Sequence, residues 1–410
     1  MRIKISMAAL ALCAAALTAA PARAADLKDC TARALAYSPA VKAYERQLAS
    51  AQAAADRDGK ARLPRLSASA DDGYSAYSAA SGLEDGLTGT LGLQLDWDLP
   101  KALSGYQRLA DLETRKSRLL LETARRTLAR DVAKDYYRLH ILAAKKADYD
   151  GARSYFTSHI ADIEELGDRG VDVKLDLLRA GMQLRALGVA EAAIETDLRA
   201  ALLSLNSATG GGFREGDFAF ADIPAPARAA APAGAAADAP ETRLSALDQA
   251  SAEEAYRQSG YFYAPALAFG VNKAVTPIDP ATERSRAFLS LSLPVFDFGQ
   301  HAADRRALRE DAEYRRQLAL EERRRLEVSI RTLTAGMDNA AAACADAGAG
   351  LADADKALGT AGEYYRQGKI RETDLLSVFA DYLAAKEQAR DALGDYLDKK
   401  ADLDYYAEGL

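Results

Sequence analysis

The side chains in this sequence that can bind ions or transfer protons are mostly acids. Two of these acids occupy matching positions. Asp176 lies six residues beyond Gly170 (176 − 170 = 6), and Asp374 lies six residues beyond Gly368 (374 − 368 = 6). A glycine suits a turn that ends one helix, and an acid suits the first turn of the next, where it stabilises the helix dipole. The spacing therefore predicts two helix–turn–helix corners, each with an acid just inside the second helix.

The sequence shows no arrangement of residues that is typical of catalysis. His140, His159 and His301 stand alone on helical stretches, without metal-ligand or triad spacing, and we expect solvated or packed surface positions for them. We find no glycine-rich phosphate loop and no nucleophile elbow. The sequence predicts a protein that is not an enzyme and that has no cofactor and no metal site.

The N-terminus indicates export. Arg2 and Lys4 precede an apolar run, and Ala22-Arg23-Ala24 matches a cleavage site, so residues 1–24 predict a secretory signal peptide. An N-terminal membrane anchor is the alternative. Removal of the signal leaves 53 − 3 = 50 Lys and Arg against 60 Asp and Glu, a formal charge of −10. An acidic chain of this kind is a poor ligand for nucleic acid.

Two cysteines, Cys30 and Cys344, remain after the predicted signal. In an oxidising compartment they can pair, or they can stay as two inert thiols, and the sequence alone does not place them close together. Whether the N-terminus carries a lipid is also left open.

The chain repeats itself. The spacing from Pro39 to Pro64 (64 − 39 = 25) equals the spacing from Pro240 to Pro265 (265 − 240 = 25), and the offset between the two copies is 240 − 39 = 201. A unit of helix, strand, strand, long helix, turn and helix therefore occurs twice. The first repeat covers 25–210 and the second 241–410. The Ala/Pro-rich residues 211–240 between them predict an extended surface linker.

Each repeat contains two strands ahead of its long helix, which we place near residues 64–77, 88–99, 265–273 and 286–294. Apolar and polar residues alternate in them, as in a strand with one face of each kind. The apolar positions are Leu91, Leu93, Leu95, Leu289, Leu291 and Leu293. The polar positions are Ser67, Ser69, Gln94, Ser290 and Ser292.

Four such strands are too few to close a barrel, for which about eight is the practical minimum. Three copies would pool twelve strands, with the leucines towards lipid and the polar positions towards a water-filled lumen. Trp97, Phe296 and Phe298 follow the strands, where interfacial aromatic residues belong. A soluble four-stranded sheet packed on helices is the alternative.

Three motifs carry a resemblance to a known family: LSLSLPVFDFG (289–299), RGVDVKLDLLRA (169–180) and YRQGKIRETDLLSV (365–378). With them, the chain resembles the TolC-like outer-membrane efflux proteins. The similarity covers nearly everything from Asp26 to the C-terminus.

The resemblance implies a homotrimer, with a twelve-stranded β-barrel in the outer membrane and a long α-helical barrel in the periplasm. The linker, residues 211–240, would lie at the equatorial belt of the helical barrel. It also implies a passive exit duct of a tripartite efflux or type I secretion system, which docks to a periplasmic adaptor and an inner-membrane pump through tip turns at Gly170 and Gly368. The alternative function is a soluble extracytoplasmic coiled-coil adaptor or scaffold.

The resemblance further implies a gate at the periplasmic tip. Asp374 falls on one position of the family's aspartate ring, and Ser377 falls on a second. Asp176 matches the acid of the first tip turn, which a basic residue of the second repeat holds. The family's arginine position is Ile370 here, so the candidate substitutes are its neighbours Lys369 and Arg371.

Overall fold

A computed structural model describes the chain over residues 25–60, 63–79, 82–97, 106–168, 173–228, 234–261, 265–275, 284–293 and 295–407. The predicted signal peptide, residues 1–24, lies outside the described residues, and so does Gly170.

The described residues of the first repeat form four α-helices and two strands. They are α1 (Leu27–Tyr37), α2 (Pro39–Lys60), β1 (Arg65–Ala79), β2 (Gly82–Trp97), α3 (Tyr106–Asp168) and α4 (Lys174–Thr209). The helix α3 is 63 residues long and contains no proline, and its Ala, Leu, Arg and Lys residues have high helix propensity.

The second repeat has the same order of elements. They are α5 (Ala235–Asp238), α6 (Pro240–Gln258), β3 (Ala266–Val275), β4 (Arg284–Ser292), α7 (Gln300–Arg366) and α8 (Glu372–Tyr406). The predicted fold class, mainly helical with a small β portion and a tandem repeat, is confirmed. Among the described helices, none combines the length and the apolar character that a membrane crossing requires.

The four strands form one antiparallel sheet in the order β1-β2-β3-β4. The first hairpin is longer than predicted, because β1 continues to Ala79 and β2 starts at Gly82 instead of near residue 88. The sequence between them is rich in glycine and acids and shows no alternation, so it carries no strand signal. The antiparallel pairing of β1 with β2 nevertheless continues through this segment.

The chain forms two compact units, and each draws on both repeats. The helical unit contains the described residues of Met1–Pro39, Arg125–Ala235 and Ser329–Leu410. The sheet unit contains those of Ala40–Ala124 and Ala236–Val328 and therefore holds the whole sheet.

In the sheet unit, α2 and α6 pack beside the start of α3. The Lys116 ammonium of α3 lies 2.6 Å from the Asp248 carboxylate of α6. The Thr114 hydroxyl lies 3.4 Å from the Ala51 carbonyl of α2. The Arg305 guanidinium at the start of α7 lies 5.4 Å from the centre of the Tyr256 ring of α6. These contacts hold α2 and α6 against the starts of the long helices α3 and α7.

In the helical unit, side-chain contacts order the helices as α4, α3, α8 and α7. Between α3 and α4, the Ser204 hydroxyl donates to the Asp135 carboxylate (2.7 Å). Between α3 and α8, the rings of Phe156 and Phe379 pack edge to face with centroids 4.5 Å apart. Between α8 and α7, Met337 belongs to the same core cluster as residues of α8.

A partly buried cluster of one acid and two cations also joins α3 to α8. The Asp148 carboxylate accepts hydrogen bonds from Arg390 (2.8 Å) and Lys386 (3.1 Å). Burial raises the pKa of Asp148, but these two cations outweigh burial and lower that pKa below its usual value. The carboxylate is therefore ionised wherever the unit is folded at neutral pH.

The prediction that residues 211–240 form only a surface linker is wrong. Phe213 and Phe218 are buried in the core of the helical unit, and Phe220 packs against it. The Tyr136 hydroxyl of α3 donates to the Asp222 carboxylate (2.6 Å). Only residues 223–240 have the Ala/Pro composition. The preceding GGFREGDFAFAD contains three phenylalanines, and two of them, Phe218 and Phe220, contact the ring of the buried Tyr136.

Both cysteines are free thiols in the structure. Cys30 is fully buried in α1, and this burial, aided by Asp29 and Asp26, raises the pKa of its thiol to about 12. Such a thiol is unreactive at neutral pH.

Candidate functional site: the two faces of the sheet and the second tip turn

The register of the sheet sorts its residues into two faces. Directly paired residues of an antiparallel sheet share a face. One row across the four strands is Leu66, Leu95, Phe269 and Leu289, and the next row is Ser67, Gln94, Gly270 and Phe288. All six predicted leucine positions share the parity of the first row, and all five predicted polar positions share that of the second. We call these the leucine face and the polar face.

The leucine face is open in the single chain. Leu289 is 73% exposed and Leu291 is 64% exposed, and Leu91 and Leu93 are more than half exposed. A continuous row of exposed leucines on one face of a sheet indicates a contact with lipid or with another protein. Lys273 lies on the same face, paired with Leu91 towards the hairpin end of the sheet. A lysine there can extend its ammonium towards a polar headgroup.

The polar face contains hydrogen-bonded side chains and one aromatic ring. The Ser67 hydroxyl donates to the Gln94 carbonyl (3.3 Å), and the Gln94 amide donates to the Asp96 carboxylate (2.5 Å). The ring of Phe288 lies on Gly270, where an added Cβ would be 2.4 Å from the Phe288 Cζ. Gly270 is thus needed for the position of this ring. Sequence reasoning missed Phe288, since only the register places it beside the polar residues.

The residues after β4 include two exposed aromatic rings. Phe296 is 73% exposed and Phe298 is 92% exposed, and their ring centroids are 4.8 Å apart. Phe298 has a φ of 53° and Gly299 has a φ of 87°. The Asp297 carboxylate accepts from the backbone N–H groups of Gly299 and His301 and thereby caps α7.

The second tip turn connects α7 to α8 through Gly368. Its φ of 70° is in the left-handed region, which glycine adopts without strain. The Gly368 N–H donates to the Tyr365 carbonyl (2.8 Å), and the Lys369 N–H donates to the Tyr364 carbonyl (2.9 Å). This pair of bonds is a Schellman motif, which is a common end of a helix. Gly368 therefore has the turn conformation that its position in the sequence indicates.

Asp374 and Ser377 are placed on the first turns of α8, and Asp374 is exposed. The Asp374 carboxylate accepts from the Arg371 N–H (3.2 Å), so it caps the helix as the dipole argument predicts. The two residues are one turn apart on one side of α8, which is compatible with a ring role in an assembly.

The described residues do not bring Asp176 to Lys369 or Arg371. The Asp176 carboxylate is half-buried and lies 3.8 Å from Arg179 of its own helix. The Lys369 ammonium lies 5.3 Å from the centre of the Tyr364 ring. Gly170, the other predicted tip turn, lies outside the described residues.

A buried polar cluster lies at the second tip turn. The His159 Nε2 atom of α3 is 2.9 Å from both carboxylate oxygens of Glu372, the first residue of α8. Their side chains are 7% and 1% exposed. Tyr365 of α7 also hydrogen-bonds to Glu372, and burial followed by the charge of Glu372 raises the pKa of the phenol. We call His159, Glu372 and Tyr365 the tip cluster.

The expectation that His159 stands alone is thus wrong. His159 falls on the buried stripe of α3 that contains Phe156 and Ile163, at helical spacing. That periodicity shows a packed position, but it does not show the partner on another helix.

Beside the cluster lies a cleft of about 540 Å³, whose lining includes Tyr155, Asp162, Arg366 and Leu375. The described residues contain no group of three His, Cys, Asp or Glu side chains arranged for a metal ion.

A repeated chain with two long helical hairpins and an antiparallel sheet of two hairpins is the fold of the outer-membrane channels. The Campylobacter jejuni CmeC outer membrane channel has a TM-score of 0.76 at 14% identity, over 93% of this chain and 85% of that one. The Neisseria gonorrhoeae MtrE outer membrane channel has a TM-score of 0.76 at 14% identity, over 93% and 88%. The Vibrio cholerae outer membrane protein VceC has a TM-score of 0.73 at 16% identity, over 93% and 96%.

The first repeat also has a match at the level of sequence. Residues 31–211 match the outer membrane efflux protein family. No curated protein sequence matches the chain significantly. Over these residues the chain is similar to the outer membrane efflux proteins, and over 93% of its length it has the fold of the outer membrane channels.

Proposed function

We propose that the chain is a passive exit duct, in which three copies pool 3 × 4 = 12 strands into one barrel in the outer membrane. The observation that carries this proposal is the sheet with two unlike faces, whose leucine face is exposed in a single chain. The leucines contact lipid, and the polar face with Ser67, Gln94 and Ser290 lines the water-filled lumen. Trp97, Phe296 and Phe298 lie at the membrane interface.

The long helices extend the duct into the periplasm as an α-helical barrel. Its tip turns, at Gly170 and Gly368, dock a periplasmic adaptor, and an inner-membrane pump supplies the energy for efflux or type I secretion. The alternative, a soluble coiled-coil adaptor or scaffold, leaves the exposed leucine face without a partner. Cell fractionation distinguishes the two functions. A duct sediments with the outer membrane and needs detergent for its extraction, whereas a soluble adaptor does neither.

The tip is the gate of this duct. Three copies of Asp374, with Ser377 one turn further on, converge on the pore axis when α8 lines the constriction. Their like charges repel at close distance, and a divalent cation relieves this repulsion. The free carboxylate oxygen of Asp374 and its exposure leave it able to face the pore while it caps α8.

We expect the purified protein to give stepwise conductance in planar bilayers, and divalent cations on the periplasmic side to block it. Asp374→Ala should abolish the block, because the ring loses three carboxylates. The capping role alone predicts a small stability loss of about 0.5–2 kcal/mol and unchanged cation sensitivity.

Asp176→Ala is the matched control, since it removes an acid at the same distance from the other tip turn. It should keep the block and change only the resting conductance. Conductance that is insensitive to divalent cations in the wild type would reject Asp374 as the gate. A purified protein without any conductance would reject the duct itself.

A further inference from the structure

Two residues at one edge of the polar face bring a cation and an aromatic ring together. Arg286 and Phe288 lie on the edge strand β4 and are separated by one residue, so both belong to the polar face. In an extended strand their Cα atoms are about 6.7 Å apart. In the proposed duct this face lines the lumen, so the two side chains meet whatever passes through the barrel.

The ring of Phe288 is held over the backbone of the neighbouring strand. Phe288 pairs directly with Gly270 of β3, and Gly270 is buried. A Cβ added at Gly270 would lie 2.4 Å from the Cζ atom and 2.6 Å from the Cε1 atom of the ring. The glycine therefore makes the space in which the ring lies. Phe288 is only half-buried, so part of this positioned ring is accessible on the polar face.

The Arg286 side chain is exposed on the same face. A guanidinium binds a carboxylate or a sulfonate through two parallel hydrogen bonds. Two acids of the polar face, Asp71 and Asp96, lie on β1 and β2, so β3 or more of the sheet separates them from Arg286. The Asp96 carboxylate already accepts a hydrogen bond from the Gln94 amide. Within one copy, these two acids therefore leave the charge of Arg286 available to an anion.

The rows of the polar face that contain this pair have one cation and no acid. Each row consists of four directly paired residues, one from each strand. The two rows are Ser67, Gln94, Gly270 and Phe288, and Ser69, Gly92, Asn272 and Arg286. A ligand at this height thus meets a positive charge, an aromatic surface and neutral residues.

We propose that Phe288 and Arg286 form a binding site for planar aromatic anions on the wall of the lumen. The ring of the ligand stacks on Phe288, and its carboxylate or sulfonate accepts hydrogen bonds from Arg286. An aromatic cation is repelled by the arginine, and an anion without a ring lacks the stacking contact. The proposal deepens the proposed duct and rests on it, because it names a chemical class of solute that the lumen binds.

An equilibrium titration tests the site in the purified protein in detergent. Naphthalenesulfonate is the probe, and its fluorescence anisotropy reports binding. We expect saturable binding that weakens with added salt, because salt screens the charge of Arg286. Arg286→Gln and Phe288→Leu should each lower the affinity several-fold, and Arg286→Gln should also remove the salt dependence. Cyclohexanesulfonate and naphthylmethylammonium should compete poorly with the probe.

Two further variants make the titration specific. Arg65→Gln removes an exposed arginine of the same face on β1 and should bind the probe as the wild type does. Gly270→Ala keeps Arg286 and Phe288 but displaces the ring, and it should lower the affinity. The backbone of Gly270 is outside the left-handed region, so alanine does not strain it. A wild type without saturable binding, or equal affinities in all these variants, would overturn the site.

An ion pair between copies is the competing role for Arg286. Asp71 lies on the polar face of β1, the opposite edge strand of the sheet, and in a barrel of several copies it comes towards β4 of a neighbour. In that case Arg286→Gln and Asp71→Asn would both lower the yield of trimer by native mass. The remaining trimers would bind the probe with unchanged affinity, and this result would overturn the site.

Single-channel recording places the site in the lumen. Naphthalenesulfonate added on the outer side should interrupt the current of the wild type, and the interruptions should be shorter in Arg286→Gln. Current that the probe does not interrupt would overturn the site in the lumen and leave the duct intact. A protein that binds the probe but gives no current would overturn the proposed function and leave the binding site.

Discussion

Leu289→Arg should remove the protein from the outer membrane fraction, whereas Ser290→Arg should leave its assembly intact. Leu289 lies on the leucine face, in the middle of β4, in one row with Leu66, Leu95 and Phe269. An arginine on the lipid-facing side of a barrel costs about 2–4 kcal/mol at the membrane midplane. In a trimer this cost arises three times.

Ser290 is the matched control for this substitution. It is the next residue of the same strand, it is also exposed, and it lies on the polar face. The same arginine there remains in the water of the lumen. The yield of each variant in purified outer membranes gives the measurement. If Ser290→Arg blocked assembly and Leu289→Arg did not, the inside and the outside of the barrel would be exchanged.

His159→Leu should loosen the second tip turn. The substitution leaves the Glu372 carboxylate buried, with Tyr365 as its remaining partner in the tip cluster. A buried polar group that loses its hydrogen-bond partner costs about 1–3 kcal/mol. The start of α8 should then open, and amide hydrogen exchange should become faster in residues 366–375. Hydrogen exchange followed by mass spectrometry measures this locally.

Two variants control this experiment. Arg153→Leu breaks an ion pair with Glu191, but the Arg153 side chain is 57% exposed, so the cost should be below about 1 kcal/mol. His159→Leu combined with Glu372→Leu removes both partners of the buried contact and should recover much of the protection. An exchange rate in His159→Leu equal to that in Arg153→Leu would show that the tip cluster does not hold the turn.

The features that depend on local periodicity could be predicted from the sequence. The two faces of the sheet follow from alternation in TLGLQLDW and LSLSL, and the register of the four strands confirms that Leu93 and Ser290 lie on opposite faces. The Gly368 turn follows from the single residue type that tolerates a left-handed conformation at the end of α7.

The features that were missed depend on contacts between distant parts of the chain. Glu372 and His159 are 213 residues apart, and no pattern within either helix indicates that they meet. Tyr136 and Asp222 are joined across 86 residues, through a segment whose Ala/Pro-rich end suggested a linker. The first part of β2 lacks alternation, so the sequence does not indicate that its pairing with β1 begins at Gly82.

The central claim is that several copies of this chain build one duct, and its stoichiometry is the most direct test. Native mass spectrometry of the mature protein, released from detergent micelles, should give a mass of three copies. The reason is that the four strands of one chain are too few to close a barrel without strands from other copies. The strand content in circular dichroism should be that of the folded sheet. A stable monomer with the same strand content would contradict the account.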